Sequence, residues 1–453
     1  MKRCPLKNVL VLGGGRSATY LIAKLLEDAI PEDLFVTVAD QDLAVAAAAI
    51  GDQPRASAVQ LDIRDDALRW AQIQRSDLVI FMLPSTFQHL VAQDCVAHGR
   101  DMLSACYRYP ATRSLDSEAR LQGILLLTEM GLDPGLDHMS AMALIRRVQD
   151  AGGRIEAFRS YGSGIPAPDQ PHNPLRYVLT WGPRNVVLAG QAGAQYMDHG
   201  AIKIVPSHEV FLRTWPCEVQ GVGTLEAYAN RDALSYMESF GLEHATTMIR
   251  GTLRYPGFCE TWRQIVRLGL PDETLRIPDL ARRSYAEVVE MFLPPGERGA
   301  SIEQRTAHYL QVSPSGRIME NLRWLGLFSS APIGCQGDTS CAMMVHLLKL
   351  KLALAPGQRD LVLLVHELEV AYPDRPRERI TSTFALEGDP GGFTAMSQAV
   401  GLPVAIAARL RLSGQLNLTG SRIPTHPAIY QPILTELEVQ GLSFAERREN
   451  LQE

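Results

Sequence analysis

Between Asn8 and Thr128 the chain repeats one pattern: a short run dense in Val, Ile and Leu, then a longer helix-like stretch, then another such run. The runs read NVLVLG, LFVTVAD, SAVQLD, DLVIFML, DMLS and GILLLTE, separated by segments such as RSATYLIAKLLEDA, QDLAVAAAAI, DDALRWAQIQ and FQHLVAQDCVAHG. Apolar runs without polar alternation belong to strands buried on both faces, as in a parallel sheet covered by its own crossover helices. The alternation therefore predicts an α/β fold that begins with a Rossmann-type, doubly wound parallel sheet domain. Basic residues precede the first run, in MKRCPLKNVLVLGGG, as they do in a signal peptide. That run is only about six residues long and ends in glycines, so it reads as a strand.

At 453 residues the chain exceeds one domain about threefold, and 46% hydrophobic against 21% charged residues places it among ordinary globular proteins. Lys and Arg total 44 against 50 Asp and Glu, a net charge of -6 that gives no basic field to attract nucleic acid. No stretch reaches the roughly 18 apolar residues of a membrane span. Seven cysteines (Cys4, Cys95, Cys106, Cys217, Cys259, Cys335 and Cys341) are odd in number and never spaced CxxC. This usage predicts a reduced, cytoplasmic protein without a disulfide framework or a metal site, and Cys335 and Cys341 have no His or second Cys pair beside them.

After Glu129 the texture changes to the turn-rich GLDPG (Gly131 to Gly135), a helix-like DHMSAMALIRRVQDAGG and a Gly/Pro-rich segment from Tyr161 to Pro183. A second, α/β domain for substrate is expected from here. Residues 260–351 hold amphipathic stretches such as CETWRQIVRLGL and TSCAMMVHLLKLKLAL, and predict a helical subdomain. LVLLVHELEV reads as a returning strand, and FTAMSQAVGLPVAIAARLRL as a long apolar helix able to pack back on the first domain.

The first strand-to-helix turn carries Gly13-x-Gly15-x-x-Ala18. In that setting the first glycine makes the tight turn, the second admits the pyrophosphate, and Ala18 allows close helix packing, while the helix N-terminal amides, with Arg16 and Ser17 in the turn, face the phosphates. Asp40 ends the second strand, where a carboxylate accepts from the adenosine ribose hydroxyls and repels a 2′-phosphate. NAD is therefore expected, with NADP as the alternative because Arg16 could reach a phosphate. Asp62 after the third strand and the turn Leu83-Pro84-Ser85 after the fourth occupy the places of the adenine and the nicotinamide ribose.

Four later strings, LTEMGLDPGLDHM, SYGSGIPAPDQPHNPLRYVLTWGPRNVVLAG, AYANRD and TMIRGTLRYPGF, resemble in content and order the strings of the glutamate-forming saccharopine dehydrogenases, also called saccharopine reductases. The resemblance implies a three-domain, homodimeric protein: a dinucleotide domain over 1–130 completed by about 394–453, a substrate domain over 131–259 and about 352–393, and the helical subdomain over 260–351. It implies oxidation of saccharopine to L-glutamate and 2-aminoadipate 6-semialdehyde, or the reverse, in lysine metabolism. It also maps substrate contacts onto Cys106, Tyr107, Asp133, Thr252, Leu253 and Arg254, with Asn173 and Trp181 as further lining.

Chemistry points the same way, since a substrate with three carboxylates calls for cations, and Arg231 and Arg254 offer guanidinium forks. Other roles are open to several of these residues. Arg231 could pair with Asp232, Tyr107 could close the core edge, Asp133 could cap the following helix, and His138 suits helix-start packing or capping better than catalysis. For catalysis, Asp133 and Tyr107 are the candidate proton acceptors, with solvent as the alternative. Two positions depart from fungal members of the family: Gly162 stands where they carry a Cys, and Asp40-Gln41 replaces a Cys-Arg pair suited to NADP. Two other functions fit the same strings less well: carboxynorspermidine dehydrogenase, which needs fewer carboxylate partners, and a non-catalytic dinucleotide sensor, which needs no polyanion site.

Overall fold

The computed structural model describes residues 6–296 and 298–451, so Cys4 lies outside the described residues. The chain forms two compact units, Met1–Gly153 with Gly392–Ala445, and Arg154–Gly391 with Glu446–Glu453.

The first unit is built on six strands, β1 (Lys7–Leu12), β2 (Leu34–Asp40), β3 (Ala56–Gln60), β4 (Leu78–Phe81), β5 (Asp101–Ser104) and β6 (Leu125–Leu127), which lie parallel in the order β3-β2-β1-β4-β5-β6. Except in the edge strand β3, their Val, Ile and Leu side chains are buried on both faces, as the apolar runs require. A seventh parallel strand, Gly420–Arg422, extends the sheet beyond β6. The apolar helix Ala395–Leu412 packs on the first crossover helix, Thr19–Glu27. The two backbones meet at Gly401, where a Cβ would stand 2.6 Å from the Leu21 nitrogen, so no other residue fits there without displacement. The helix Leu136–Asp150 packs against Pro427–Val439 and falls within this unit.

The second unit contains β7 (Arg154–Pro166), β8 (Ala194–Asp198), β9 (Ala201–Val205), β10 (Thr214–Val219), β11 (Gly223–Ala229), β12 (Thr247–Arg254), β13 (Asp360–Ala371) and β14 (Glu378–Glu387). The main path runs β10-β11-β12-β7-β13-β14 and ends on Ala445–Asn450, while β8 pairs with β12 and β9. Only β7 and β12 pair in parallel among the registered neighbours; the remaining pairs are antiparallel. Among the described residues between Phe258 and Lys351 lie five α-helices, Phe258–Arg267, Tyr285–Phe292, Ile302–Leu310, Arg317–Leu325 and Ser340–Lys351. Their buried side chains, Trp262, Val288, Leu322 and Met344 among them, form one core with Tyr177 and Tyr228.

Two local outcomes differ from expectation. The stretch SYGSGIP, read as the start of a Gly/Pro-rich segment, is the end of β7, because all of it pairs with β13 and Ser160 to Gly162 pair with β12 as well. The strands β8 to β11 were not marked by their sequence; β9, AIKIV, is exposed at four of five positions and so shows no buried face. Among the described residues no helix is long and apolar enough to cross a membrane, and no cluster of His, Cys, Asp and Glu has the arrangement of a metal site.

Candidate active site

In the first unit the glycine turn has the shape its sequence called for. Gly13 holds φ +104°, donates to the Ala39 carbonyl at 2.8 Å, and would press a Cβ to 3.0 Å from the Met82 carbonyl oxygen. At Gly15 a Cβ would meet nothing within 4 Å, so this side of the turn opens to a ligand instead of to protein. Gly15 leads into the single helical turn Arg16–Ala18, where Ala18 is buried and Arg16 exposed. A dinucleotide pyrophosphate fits a backbone that is glycine-shaped on one side and open on the other.

The Asp40 carboxylate reaches back onto that turn, accepting from the Gly14 N–H at 3.0 Å and the Asp42 N–H at 3.1 Å. Two backbone donors fix a negative charge at the end of β2, beside the glycines. Asp62 is engaged differently: the Arg64 guanidinium grips it at 2.7 and 3.0 Å and holds its carboxyl down to about 2. Any contact of Asp62 with adenine is therefore made by an ion pair and not by a free carboxylate. In the turn after β4, Ser85 accepts or shares a proton with the Tyr109 hydroxyl at 3.1 Å. The Leu83 carbonyl receives the Cys106 thiol at 3.7 Å, and Pro84 is exposed between them. Burial pushes Cys106 up to about 11, so near neutrality it stays a thiol.

Cys106 links this turn to the next loop. Its carbonyl accepts from the Glu129 N–H at 2.9 Å, just before GLDPG. Within GLDPG the Gly131 N–H donates to the Pro134 carbonyl and the Leu136 N–H to the Gly131 carbonyl. Gly135 sits at φ +149°, and a Cβ there would fall 2.1 Å from the Gly131 oxygen, so the loop closes only with glycine. This closure presents Asp133 to Tyr107, whose hydroxyl donates to Asp133 Oδ1 at 3.4 Å. The helix that follows takes no cap from Asp133; the Asp137 carboxylate accepts the Gly135 N–H at 2.6 Å instead. Tyr107 is half-buried, at the edge of the unit.

In the second unit Arg254 ends β12 with 5% of its surface exposed. Its guanidinium lies 4.9 Å from the Tyr177 ring, 5.4 Å from Phe258 and 5.9 Å from Tyr228, and Nη1 donates to the Leu253 carbonyl at 2.8 Å. Nε is buried without an acceptor, and no acidic side chain among the described residues forms an ion pair with the group. Glu226, across on β11, spends an oxygen on the Cys259 N–H at 2.7 Å. Thr252 points to the same side as Arg254 and bonds the Tyr228 hydroxyl, which burial pushes up to about 12 against the pull of Arg254. Leu253 alternates to the opposite face and is buried with Tyr161 and Ile165, so only its backbone stands beside Arg254. Gly162 of β7 is in register with Thr252.

Trp181 donates from Nε1 to the Tyr177 hydroxyl at 3.0 Å, bringing it into this group. Asn173 holds its own loop: its amide donates to the Tyr177 carbonyl at 2.7 Å and accepts from Leu175 N–H at 3.1 Å. Arg231 is exposed, at φ +55° in the turn after β11, and its carbonyl accepts from the Gln195 N–H at 2.9 Å. The neighbouring Asp232 turns its Oδ1 to the N–H groups of Leu234 and Ser235, at 2.9 and 3.2 Å. Tyr177 and Tyr228 were not singled out from the sequence, although Tyr177 stands four residues before Trp181 in NPLRYVLTW.

The family model for the saccharopine dehydrogenase NADP binding domain matches residues 9–127, and that for the saccharopine dehydrogenase C-terminal domain matches residues 131–442. Saccharopine dehydrogenase [NADP(+), L-glutamate-forming] of Saccharomyces cerevisiae is 34% identical over 440 residues, 95% of this chain and 97% of that protein. The mitochondrial alpha-aminoadipic semialdehyde synthase of Bos taurus is 31% identical over 443 residues, 97% of this chain but 47% of the bovine one. The solved apo structure of histidine-tagged saccharopine dehydrogenase (L-Glu forming) from Saccharomyces cerevisiae superposes with a TM-score of 0.84 at 32% identity, covering 98% of this chain and 100% of that one. Matches of this extent, in sequence and in fold alike, mean that the chain belongs to the saccharopine dehydrogenase family.

Proposed function

We propose that the protein is a nicotinamide-dependent oxidoreductase acting on a CH–NH group, and that it oxidises saccharopine to L-glutamate and 2-aminoadipate 6-semialdehyde, or runs the reverse condensation, in lysine metabolism. Arg254 carries this reading. A buried guanidinium with an unused N–H and no carboxylate partner is costly unless an anion completes it, and saccharopine supplies three. Tyr177, Tyr228 and Phe258 lower the polarity around that cation and so strengthen its hold on a carboxylate. Arg231, exposed on its turn, is proposed as a second carboxylate contact, with Thr252 and Trp181 lining the first.

The glycine turn, Arg16, Ser17, Ala18, Asp40 and the Leu83-Pro84-Ser85 turn would hold the dinucleotide. When bound, its nicotinamide accepts a hydride from the carbon of the secondary amine. The chain's own residues handle protons. The amine must be neutral before oxidation, water must then add to the C=N carbon, and the adduct must split into the amine of glutamate and an aldehyde. Asp133 is proposed as the group that accepts these protons, with Tyr107 orienting the nitrogen from 3.4 Å away. The Cys106 thiol, pushed up to about 11, lines the site without serving as a base.

The test is steady-state oxidation of saccharopine by the purified protein with NAD and with NADP. Absence of turnover with both overturns the proposal. NAD is proposed as the preferred form because the Gly14 and Asp42 N–H groups hold the Asp40 carboxylate at the end of β2, where in a Rossmann site an acidic side chain favours free ribose hydroxyls over a 2′-phosphate. The family model and the yeast relative both carry NADP in their names, which makes this a test of the Asp40 geometry. Wild-type kcat/KM should be higher with NAD, and Asp40→Ala should move the ratio at least about 10-fold toward NADP, the scale of one lost charge–charge repulsion. Equal use by the wild type, or an unmoved ratio in the variant, counts against it.

For Arg231→Ala the expected change is a rise in the saccharopine KM of roughly 10-fold, one charge-assisted contact, with the dinucleotide KM unchanged. A fall in Tm at normal KM would assign Arg231 to its turn instead. The spacing of the cysteines and the family resemblance extend the proposal to a cytoplasmic homodimer, which sedimentation of the purified protein tests for the assembly.

A further inference from the structure

The loop with Tyr107 and the loop with Asp133 are both anchored to one buried row of side chains that the proposed chemistry does not use. Glu129 (4% exposed), His138 (0%) and Asp137 (3%) lie side by side in space: Glu129 Oε2 is 2.8 Å from His138 Nε2, and His138 Nδ1 is 3.3 Å from Asp137 Oδ2. Each end of the row holds a backbone N–H. Glu129 Oε1 accepts from Arg108 at 2.9 Å, the residue after Tyr107. Asp137 Oδ1 accepts from Gly135 at 2.6 Å, two residues after Asp133. Glu129 is also held at φ +59°, a conformation that non-glycine residues adopt rarely and at a cost, and it points the carboxylate inward. Two acidic side chains flanking one imidazole, all withdrawn from water, are expensive for mere filling, since each must be paired to be tolerated.

We infer that the Glu129–His138–Asp137 row sets the separation between Tyr107 and Asp133, so that Glu129 and His138 are positioning residues for the proton transfer assigned to that pair. The inference rests on the proposed function. The imidazole acts as a rigid spacer: a carboxylate on Nε2 fixes the ring, and the ring fixes the loop of Asp133 relative to the loop of Tyr107. Reacting groups tolerate little error, and a misplacement of about 1 Å can cost 10²-fold in rate.

Glu129→Gln tests this with little change of shape. The amide oxygen can still accept from Arg108, but the NH2 now faces His138 Nε2 as a donor, which removes the carboxylate–imidazole pair and forces the ring proton onto Nδ1 for any bond to remain. On the full chain, with saccharopine and NAD, the variant should lose at least about 10-fold in kcat while the dinucleotide KM and Tm stay near wild type. Placed on a Tyr107→Phe background, the same change should cost less than about 2-fold more, because it acts through the Tyr107–Asp133 pair already broken. Independent, multiplying losses would show that Glu129 acts elsewhere and overturn the inference. His138→Asn, carried through the same cycle, decides the matter if Glu129→Gln does not fold.

A wild-type protein that turns over no saccharopine would defeat the proposed function rather than the positioning, and crystals separate the two. In a His138→Asn crystal structure the Tyr107 Oη to Asp133 Oδ1 distance should depart from 3.4 Å by about 1 Å or more. An unchanged distance overturns the inference whatever the substrate.

Discussion

Asp133→Asn is expected to lower kcat for saccharopine oxidation by roughly 10²-fold or more, the scale of a lost general base. The substitution is nearly isosteric, keeps an oxygen toward the Tyr107 hydroxyl, and leaves the Gly131–Pro134 and Gly131–Leu136 bonds of the loop in place, so the Tm should hold. Tyr107→Phe, which removes a donor but no proton acceptor, should cost less. The pH profile separates chemistry from binding. A carboxylate base loses activity as pH falls and it becomes protonated, so the Asn variant should lose one ionisation from the acid limb of kcat/KM and keep that of the substrate amine. An unchanged profile with a raised saccharopine KM would assign Asp133 to binding and leave the proton to solvent.

The second large effect is expected at Arg254. Arg254→Met keeps an unbranched chain of similar reach among Tyr177, Tyr228 and Phe258 but removes the charge. If Arg254 holds a substrate carboxylate through two charge-assisted bonds at roughly 1.5 to 3 kcal/mol each, the saccharopine KM should rise about 10²-fold or more, with the dinucleotide KM unmoved. Stability should stay level or increase, because an unpaired buried cation is a burden to the free protein. A marked drop in Tm with near-normal KM would instead make Arg254 a member of the core, held by its rings and by the Leu253 carbonyl.

The two units were not equally legible from sequence. The parallel sheet was, because strands buried on both faces must be written as uninterrupted Val, Ile and Leu, and a glycine that needs φ +104° beside a carbonyl can be nothing else. The helices between Phe258 and Lys351 announced themselves by periodicity. Strands such as β9 and β10 did not, since sheet edges in contact with water carry no compulsory pattern. The same contrast holds in the site. Asp40 and Asp133 were singled out by their place in a motif, whereas the bonds of Asn173 to its own loop are not written in the string that it shares with Trp181. His138 reads only as a helix-start residue and Glu129 only as the end of the first pattern, because their pairing depends on a left-handed backbone at Glu129 that sequence does not display. Likewise the placement of Leu136–Asp150 in the first unit depends on a helix, Pro427–Val439, nearly three hundred residues further along.

The late arrival of Gly420–Arg422 beside β6 has a consequence for biosynthesis. A ribosome adding 5–20 residues per second needs roughly 15 to 60 s to travel from one strand to the other. For that interval Leu125, Leu126 and Leu127 form an open sheet edge, and the face of the first crossover helix later covered by Ala395–Leu412 is wet. The nascent dinucleotide unit therefore leaves the exit tunnel incomplete, with an edge suited to pairing with another nascent chain. Chaperone capture during this window would then govern the yield of soluble protein, and a stop codon shortly before residue 420 would forfeit not a tail but the closure of the first sheet.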